Sequence, residues 1–511
     1  MTPSDSDDVC ADIQQLHRLG YAQELLRGMS GFSNYAISLS IICILAGGLT
    51  SFAQGFNAVG GAAVGIGWPL VCLFSLTVAA TMGQVASAFP TAGGLYHWAS
   101  ILGGKGWGWA TAWFNLAGLV TVLAAINLGT FQFVFNALSA QFGMEAPTPG
   151  AMLALQTGGL VLITFSQALF NHLGIRITTL LTDFSGWWIL VVAAVLTGAL
   201  LLFAPSFEPA RLVTFTNYSG LPASEPIYPQ QDNLVGLFLL SFLLPAYTLT
   251  GFDASAHTAE ETVHAALNVP RGIVRSVVVS GVAGWIMLMA LVLAIPDMDA
   301  AAEQGGSSVI LTMAQVLPGW LAVTLFVGIG VAQYLCGLAT VTSASRMTFA
   351  FARDGGLPFS ATLRAVSPVY RTPVAAVWTV AVAAVLFTVY TPVYGTVAAV
   401  CTLFLYISYV LPTALGLLAY GRTWTTMGPW DVGRWYRPLA VVCVLGCGLL
   451  IAVGMQPPND KAVWIIGGAI VLLAAVWFGG ERRRFQGPPQ GVLDGQRQAE
   501  IEAAEKAVGQ A

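Results

Sequence analysis

Two short stretches rich in glycine and hydroxyl side chains interrupt long apolar runs of this sequence. The first comprises Ala46, Gly47, Gly48, Leu49 and Thr50, and the second comprises Tyr247, Thr248, Leu249, Thr250, Gly251 and Phe252. Glycine weakens a helix interior, and Pro245, just before the second stretch, lacks a backbone donor. Both patterns therefore predict a helix that breaks in its middle. In an apolar environment, a cavity or a ligand must satisfy the freed backbone groups.

The polarity of a helix end determines what such breaks would bind. The start of a half-helix offers N–H groups to a carboxylate, and its end offers carbonyl groups to an ammonium group. Two facing breaks would therefore hold a zwitterion. The carboxylate is expected at Gly47, Gly48 and Thr50, and the amine at carbonyl groups near Tyr247, Thr248 and Thr250. The alternative is that Gly47 and Gly48 only let two helices pack closely.

Four charged side chains within or beside the apolar runs are candidates for ion coupling or gating. They are Asp183, Asp253, Glu260 and Arg346. A carboxylate inside a membrane span is energetically costly and suggests a function. Asp183 could carry a coupling proton, or it could pair with Arg176. Asp253 could contact the bound solute, or it could accept N–H groups of the broken backbone.

Glu260 belongs to a polar group that also contains His257, Glu261 and His264. We expect either a charge network that gates an exit or a solvated loop. The candidate partners are Arg271, Arg275, Arg346 and Arg353. The spacing of these residues does not favour zinc ligation, so no metal site is predicted.

A further apolar run carries Gln333, Tyr334, Thr340, Thr342 and Ser343. Its hydroxyl groups could complete a sodium site, or they could bond back to their own helix. Tyr334 is also one of the aromatic residues expected either to line a cavity or simply to pack. The others are Trp113, Phe252, Tyr406 and Tyr409.

The elements that position these residues must cross a membrane. Of 511 residues, 56% are hydrophobic and 9% are charged, whereas soluble domains carry about 25% charged residues. A spanning helix needs roughly 20 apolar residues. Twelve runs qualify, namely 33–56, 62–86, 107–138, 151–171, 179–203, 233–256, 273–295, 318–349, 374–391, 394–417, 438–455 and 462–479. The predicted fold is an all-α membrane protein with 12 transmembrane helices, of which helices 1 and 6 are broken.

Charge predicts the orientation of these spans. With both termini in the cytoplasm, 18 of the 20 Lys and Arg residues lie on the cytoplasmic side, and the exceptions are Arg211 and Lys461. This is a strong positive-inside bias. We therefore expect a cytoplasmic N-terminal segment (1–32), one transporter domain (33–479) and a cytoplasmic tail (480–511) in a plasma (inner) membrane.

The segments outside the spans carry their own expectations. Residues 13–26 form an amphipathic pattern that could lie along the membrane surface. Residues 204–232 are rich in proline and predict an ordered surface connector. The polar tail after Arg484 predicts disorder with a short terminal helix.

Several classes of protein are excluded by composition. The net charge of −4 offers no basic patch for nucleic acid. The seven cysteines have no metal-ligand spacing and are interpreted as small core residues. No nucleophile–base pair appears, so neither an enzyme nor a cofactor is expected.

Three motifs resemble those of the amino acid–polyamine–organocation superfamily. Residues 89–98, FPTAGGLYHW, resemble its P-x-A-G-G-x-Y-x-W signature. Residues 345–358, SRMTFAFARDGGLP, resemble its S-R-x-x-x-A-x-A-R-D-G-x-x-P element. Residues 250–262, TGFDASAHTAEET, resemble the G-[FY]-D-A-x-x-H-x-x-E-E segment of the amino acid–choline transporter branch, which includes GABA and choline permeases.

This resemblance implies a 5+5 inverted-repeat fold that works by alternating access. The first repeat would be 33–203, the second 233–417, and the two peripheral helices would lie in 438–479. The expected function is secondary, proton-coupled symport or exchange of an amino acid or related zwitterion such as GABA. Alternatives are a carrier of choline or another organic cation, and a sensor or scaffold that transports nothing. The expected partners are the solute, the coupling ion and membrane lipid.

Overall fold

The computed structural model describes residues 3–144, 147–390, 394–489 and 495–509. Residues 391–393, where predicted span nine ends, and 490–494, in the predicted tail, lie outside the described residues, as do 1–2, 145–146 and 510–511. Within the described ranges the chain is helical, with two isolated β-bridges and no strand.

The described residues up to His257 contain eleven α-helices. They are α1 (Pro3–Arg18), α2 (Gly31–Ile41), α3 (Phe52–Val59), α4 (Trp68–Ala88), α5 (Leu95–Gly103), α6 (Lys105–Phe142), α7 (Pro149–His172), α8 (Ile175–Phe203), α9 (Leu234–Ser241), α10 (Leu243–Thr248) and α11 (Ala254–His257). Polar caps mark several starts. Ser30 accepts a hydrogen bond from the Ser33 N–H, and Thr148 accepts one from the Ala151 N–H, before α2 and α7 respectively.

The second half continues in the same way. Its helices are α12 (Ala265–Ala294), α13 (Met298–Glu303), α14 (Ser308–Val316), α15 (Gly319–Arg353), α16 (Ser360–Leu363), α17 (Val374–Tyr390), α18 (Tyr394–Ala419), α19 (Tyr436–Gly454), α20 (Asp460–Val476), α21 (Arg482–Arg484) and α22 (Gly495–Ala507). Single π-helical turns occur at Ile44–Gly48, Ala63–Gly67 and Trp477–Glu481, and 3₁₀ turns at Pro209–Leu212, Ala259–Glu261, Gly305–Ser307 and Gly433–Trp435.

Ten helical segments of the described chain are long and apolar enough to cross a membrane. They coincide with ten of the predicted spans. The other two predicted spans correspond to shorter apolar helices at Leu234–Thr248 and Val374–Tyr390. The protein is therefore a multi-pass membrane protein.

Both predicted interruptions are present, but the first is displaced. α2 ends at Ile41, and Cys43 is extended (φ −68°, ψ 102°) before the π-helical turn that contains Gly47 and Gly48. The helix therefore breaks about one turn before the glycine pair. The second break lies between α10 and α11, where Gly251 has a φ of +97°, a conformation that favours glycine.

The two ends of the helix bundle differ. At one end, here called the loop end, lie segments 204–232, 295–308 and 456–460. The Asn57 amide donates there to the carbonyl oxygens of Leu221 and Ala302. The predicted connector 204–232 contains only one 3₁₀ turn and packs against α3.

The opposite end, here called the terminal end, carries both terminal segments. Asp12 accepts hydrogen bonds from the N–H groups of His264 and Ala265, and Arg497 donates to the Gly20 carbonyl. The apolar residues Leu16 and Leu25 of segment 13–26 are buried in the protein, and that this segment also lies along the membrane surface stays a prediction. The described part of the tail is also docked, with Glu505 against His17.

Candidate functional site

The two breaks lie side by side. A Cβ placed on Gly47 would be 2.8 Å from the Cα of Thr248, so only a glycine allows this approach. A Cβ on Gly48 would meet only the Leu288 and Met287 side chains, at an ordinary 3.7 Å. The close contact therefore involves Gly47, whereas the sequence pattern gave both glycines the same role.

The first break leaves backbone donors free. Within the described chain, the N–H groups of Cys43, Ile44 and Leu45 donate to no acceptor. The Leu45 carbonyl accepts from the Gln333 amide at 3.2 Å, and the Ser51 hydroxyl donates to the Gly47 carbonyl. The free N–H groups begin a half-helix, which is the arrangement that attracts a carboxylate.

The second break leaves backbone acceptors free. The carbonyl groups of Thr248, Leu249 and Thr250 accept no hydrogen bond within the described ranges. The Gly251 N–H donates to the Tyr409 hydroxyl at 3.1 Å, and the Phe252 carbonyl accepts from Ser38 at 2.9 Å. Free carbonyls at the end of α10 suit an ammonium group.

A cavity of about 670 Å³ extends from the breaks toward the loop end. Of the predicted binding residues, Leu49, Thr50 and Tyr247 line it. Additional polar lining comes from Gln54, Gln132, Asn136, Glu225, Tyr394, Thr402 and Lys461. A volume of this size is typical of small-molecule sites.

Tyr394 contacts cavity-lining residues of both breaks, Thr50 and Tyr247. The hydroxyl groups of Tyr394 and Thr50 are 2.7 Å apart, and Thr50 also donates to the Ala46 carbonyl at 2.6 Å. The Tyr394 ring meets the Tyr247 ring edge-on at 6.2 Å between centroids. These contacts link the first break, the second break and α18.

The remaining predicted binding residues do not line the cavity. Ala46, Gly47, Gly48, Thr248, Thr250 and Gly251 are not among its lining residues, and of these Gly47 and Thr248 form the contact between the two breaks. Phe252 packs on Tyr409 at 5.0 Å between ring centroids. The placement of Tyr334 in the site is not supported: it points to α7, with its hydroxyl 2.9 Å from that of Ser166. The neighbouring Gln333 faces the first break instead.

Asp183 is bound to the first span. It accepts a hydrogen bond from the Ser33 hydroxyl at 2.9 Å, while its other oxygen is buried without a partner. Among the ion pairs of the described residues, none joins Asp183 to Arg176, so the predicted pairing is absent there.

Asp253 is connected to the second break through the Tyr409 hydroxyl. Its carboxylate accepts hydrogen bonds from the Tyr409 hydroxyl at 2.8 Å and the Asn115 amide at 3.0 Å. The His257 ring lies 3.3 Å away. Among the described residues no backbone N–H donates to the Asp253 side chain, contrary to the expectation, because the Tyr409 hydroxyl lies between Asp253 and the Gly251 N–H.

The predicted charge network is present at the terminal end. Arg346 donates to both oxygens of Glu261 at 3.2 and 3.0 Å, and this pair is fully buried. Arg353 donates to both oxygens of Glu260 at 2.9 and 2.8 Å. Planar, bidentate contacts of this kind are the strongest side-chain ion pairs.

Glu260 also forms a hydrogen bond with the loop that begins the motif at residues 89–98. The Ala92 N–H donates to Glu260 at 3.0 Å. Burial raises the pKa of Glu260, but the charge and hydrogen bonds of Arg353, together with the Ala92 N–H, outweigh burial and hold that pKa below its ordinary value. Glu260 is therefore ionised at neutral pH.

A family model for amino acid permeases matches residues 29–477, which is most of the chain. The chain belongs to the amino acid permease family. The permease is 31% identical to the amino-acid permease BAT1 homolog of Oryza sativa subsp. japonica, an alignment that covers 93% of this chain and 95% of the relative. It is 29% identical to the amino-acid permease BAT1 of Arabidopsis thaliana, over 94% and 96%. The GABA-specific permease of Saccharomyces cerevisiae is 26% identical, over 94% and 86%.

These matches confirm the predicted superfamily and the predicted amino acid transport function. The family consists of transporters and not of enzymes. Within the described part of the permease, no group of three or more His, Cys, Asp or Glu could hold a metal ion.

The structure also places around the two breaks residues that the sequence did not single out as binding residues. Tyr394 is the first residue of α18 and belongs to no motif, so nothing in the sequence signalled its position. Gln333 was noticed as a polar residue in a span, but the rotation of α15 that turns it toward the break was not predictable. Asn115, a polar residue within the long apolar α6, offered a signal that was overlooked.

Proposed function

We propose that this permease is a secondary active transporter that carries an amino acid or a related zwitterion, such as GABA, together with a proton. Residues 33–479 form one 12-helix domain, in which 33–203 and 233–417 are inverted repeats and 438–479 are peripheral. Segments 1–32 and 480–511 lie in the cytoplasm, and the protein resides in the inner membrane. Transport proceeds by alternating access, as symport or exchange.

The observation that carries this proposal is the pairing of complementary backbone groups. Free N–H groups at Ile44 and free carbonyls at Thr250 belong to two breaks that touch at Gly47 and Thr248. A solute with a carboxylate and an amine satisfies both sets at once, which is the arrangement found in transporters built from broken helices.

Alternating access is supported by the contrast between the two ends. The cavity extends to the loop end through residues of 222–228 and 458–461, while buried ion pairs close the terminal end. The sequence assigns 18 of the 20 basic residues to the terminal end, which the positive-inside rule locates in the cytoplasm. The described arrangement is thus outward-facing in this proposal.

An organic cation such as choline is the second candidate solute. The cavity lining includes the aromatic residues Phe133, Tyr228, Tyr247 and Tyr394. Aromatic faces attract a quaternary ammonium group, which has no hydrogen bond to donate. This solute would leave the free N–H groups of the first break without a partner, so it ranks below a zwitterion.

Uptake of radiolabelled GABA into proteoliposomes with an imposed inward proton gradient tests the proposal. Competition by unlabelled amino acids but not by choline supports a carboxylate-binding site. Block by choline alone supports the second candidate. Protein-free liposomes and vesicles without a gradient are the controls. Uptake that ignores the gradient would contradict proton coupling.

A further inference from the structure

A fully buried pair of titratable side chains, Asp253 and His257, lies between the second break and the terminal end. The two residues are four positions apart, and the His257 Nε2 is 3.3 Å from Asp253 Oδ2. The other ring nitrogen, Nδ1, faces the Ala92 carbonyl oxygen at 3.1 Å. Both nitrogens of this imidazole therefore face oxygen atoms.

Hydrogen bonding determines how many protons this pair holds. A carbonyl oxygen only accepts, so the Ala92 contact requires a proton on Nδ1. With Nδ1 protonated, a neutral ring presents a lone pair at Nε2, and an ionised Asp253 presents another. Two acceptors at 3.3 Å in a fully buried site repel each other unless a proton lies between them.

We propose that Asp253 and His257 together bind the coupling proton while the terminal end is closed, and that the proton leaves the pair as that end opens. The inference rests on the proton coupling proposed above. Loading adds one proton and one positive charge to the pair, and release returns both to the solution at the terminal end. From the sequence, Asp183 was the candidate proton carrier, Asp253 was grouped with the coupling or gating residues, and His257 was given only a gating role.

Contacts on both sides connect this proton to transport. Toward the solute site, the Tyr409 hydroxyl donates to Asp253 Oδ1 and accepts from the Gly251 N–H of the second break. Toward the terminal end, His257 Nδ1 contacts the Ala92 carbonyl oxygen. The backbone N–H of Ala92 in turn donates a hydrogen bond to Glu260. Loss of the proton therefore weakens the contact that ties α11 to the loop at Ala92.

Of the basic groups on the elements around α11, Arg271 and Arg275 of α12 are exposed, and Arg27 donates to the Ala259 and Thr262 carbonyl oxygens. Glu260 and Glu261, the next acidic residues along the chain, are already paired with Arg353 and Arg346 of α15. The neighbouring helix α2 contributes uncharged Asn34 and Ser38. From α6 and α18 come Asn115 and Tyr409. The loop helix α5 contributes His97, whose Nδ1 is bonded to the Thr91 hydroxyl.

Asp253→Asn is the sharpest variant. The new amide can donate to Nε2 of a neutral His257, so the closed arrangement needs no extra proton. The Asn115 amide, whose oxygen is buried without a partner, can rotate to accept from the remaining N–H. His257→Gln removes the imidazole from the other side of the pair. His97→Asn, a change at a buried histidine outside the pair, is the matched control.

Proteoliposomes containing a trapped pH dye would report protons moved per radiolabelled amino acid taken up, and counterflow of the same amino acid would report exchange without a gradient. We expect both pair variants to move at least tenfold fewer protons per solute while retaining counterflow, and His97→Asn to match the wild type.

An unchanged proton ratio in either folded pair variant would overturn the inference, even if wild-type coupling is found. Loss of counterflow in both would also overturn it. A wild type that moves no protons would refute the proposed coupling itself.

Discussion

Thr248 approaches Gly47 so closely that a Cβ on the glycine would lie 2.8 Å from the Thr248 Cα. The atom that blocks a side chain is backbone, so it cannot rotate away. The two breaks are therefore held at a spacing that depends on the absence of one methyl group.

Gly47→Ala should strongly reduce transport. Overpacking typically costs about 1–3 kcal/mol, and here it separates the two sets of free backbone groups. We expect the initial rate of amino acid uptake to fall at least about tenfold, which corresponds to about 1.4 kcal/mol. Gly48→Ala is the matched control, because its Cβ meets only side chains at 3.7 Å. Equal losses in the two variants, at equal amounts of protein in the membrane, would contradict this assignment.

Glu261→Gln should lower the thermal stability of the permease. The change leaves Arg346 fully buried without its counter-ion, which typically costs about 3–5 kcal/mol. The double variant Glu261→Leu with Arg346→Met removes both charges and should regain most of the loss. Thermal unfolding in detergent measures both effects.

The exposed ion pair between Glu481 and Arg484 provides a control for that experiment. Its atoms are as close as 2.7 Å, but exposed pairs contribute about 0–1 kcal/mol. Glu481→Gln should therefore leave the unfolding temperature nearly unchanged. An equal decrease in both single variants would show that burial of the Arg346 pair is not the cause.

The sequence predicted the spans well because apolar length depends on composition alone. It predicted both breaks, but it located the first at the glycine pair, whereas the helix ends at Ile41. Gly47 serves close packing against Thr248, and a contact between distant segments leaves no local pattern. The placement of Tyr334 in the site is not supported for a related reason: most of α15 is buried, so its composition does not reveal which face meets the cavity.

Tyr394→Phe should weaken solute binding more than turnover. The hydroxyl it removes lies 2.7 Å from that of Thr50 at the cavity lining, while the ring that packs on Tyr247 is kept. A neutral hydrogen bond contributes about 0.5–1.5 kcal/mol, so KM should rise about two- to tenfold.

Two variants make that measurement specific. Tyr390→Phe changes an exposed tyrosine of the preceding helix and should leave KM unchanged. Thr50→Val added to Tyr394→Phe should raise KM by less than the product of the single effects, because both variants remove the same hydrogen bond. If the double variant raises KM by the full product of the two single effects, the two hydroxyls act independently.

His97 should make the stability of the permease fall in mild acid. Burial, followed by the charge of Arg353, lowers the pKa of His97 to about 3, whereas an unfolded histidine has a pKa of about 6.5. The unfolded state therefore binds more protons between these values. The stabilisation is complete above about pH 6.5 and is lost as pH falls, by about 2 kcal/mol at pH 5.

His97→Asn removes this titration while its amide can still meet the Thr91 hydroxyl, which lies 2.8 Å from the His97 Nδ1. Thermal unfolding at pH 7 and pH 5 should therefore show a smaller decrease in the variant than in the wild type. Above pH 7, His97 is neutral in both the folded and the unfolded state. There the unfolding temperatures of the wild type and the variant should change with pH at the same rate. Parallel decreases in both proteins between pH 7 and pH 5 would mean that other groups cause the acid sensitivity and that the histidine titrates alike in the folded and unfolded chain.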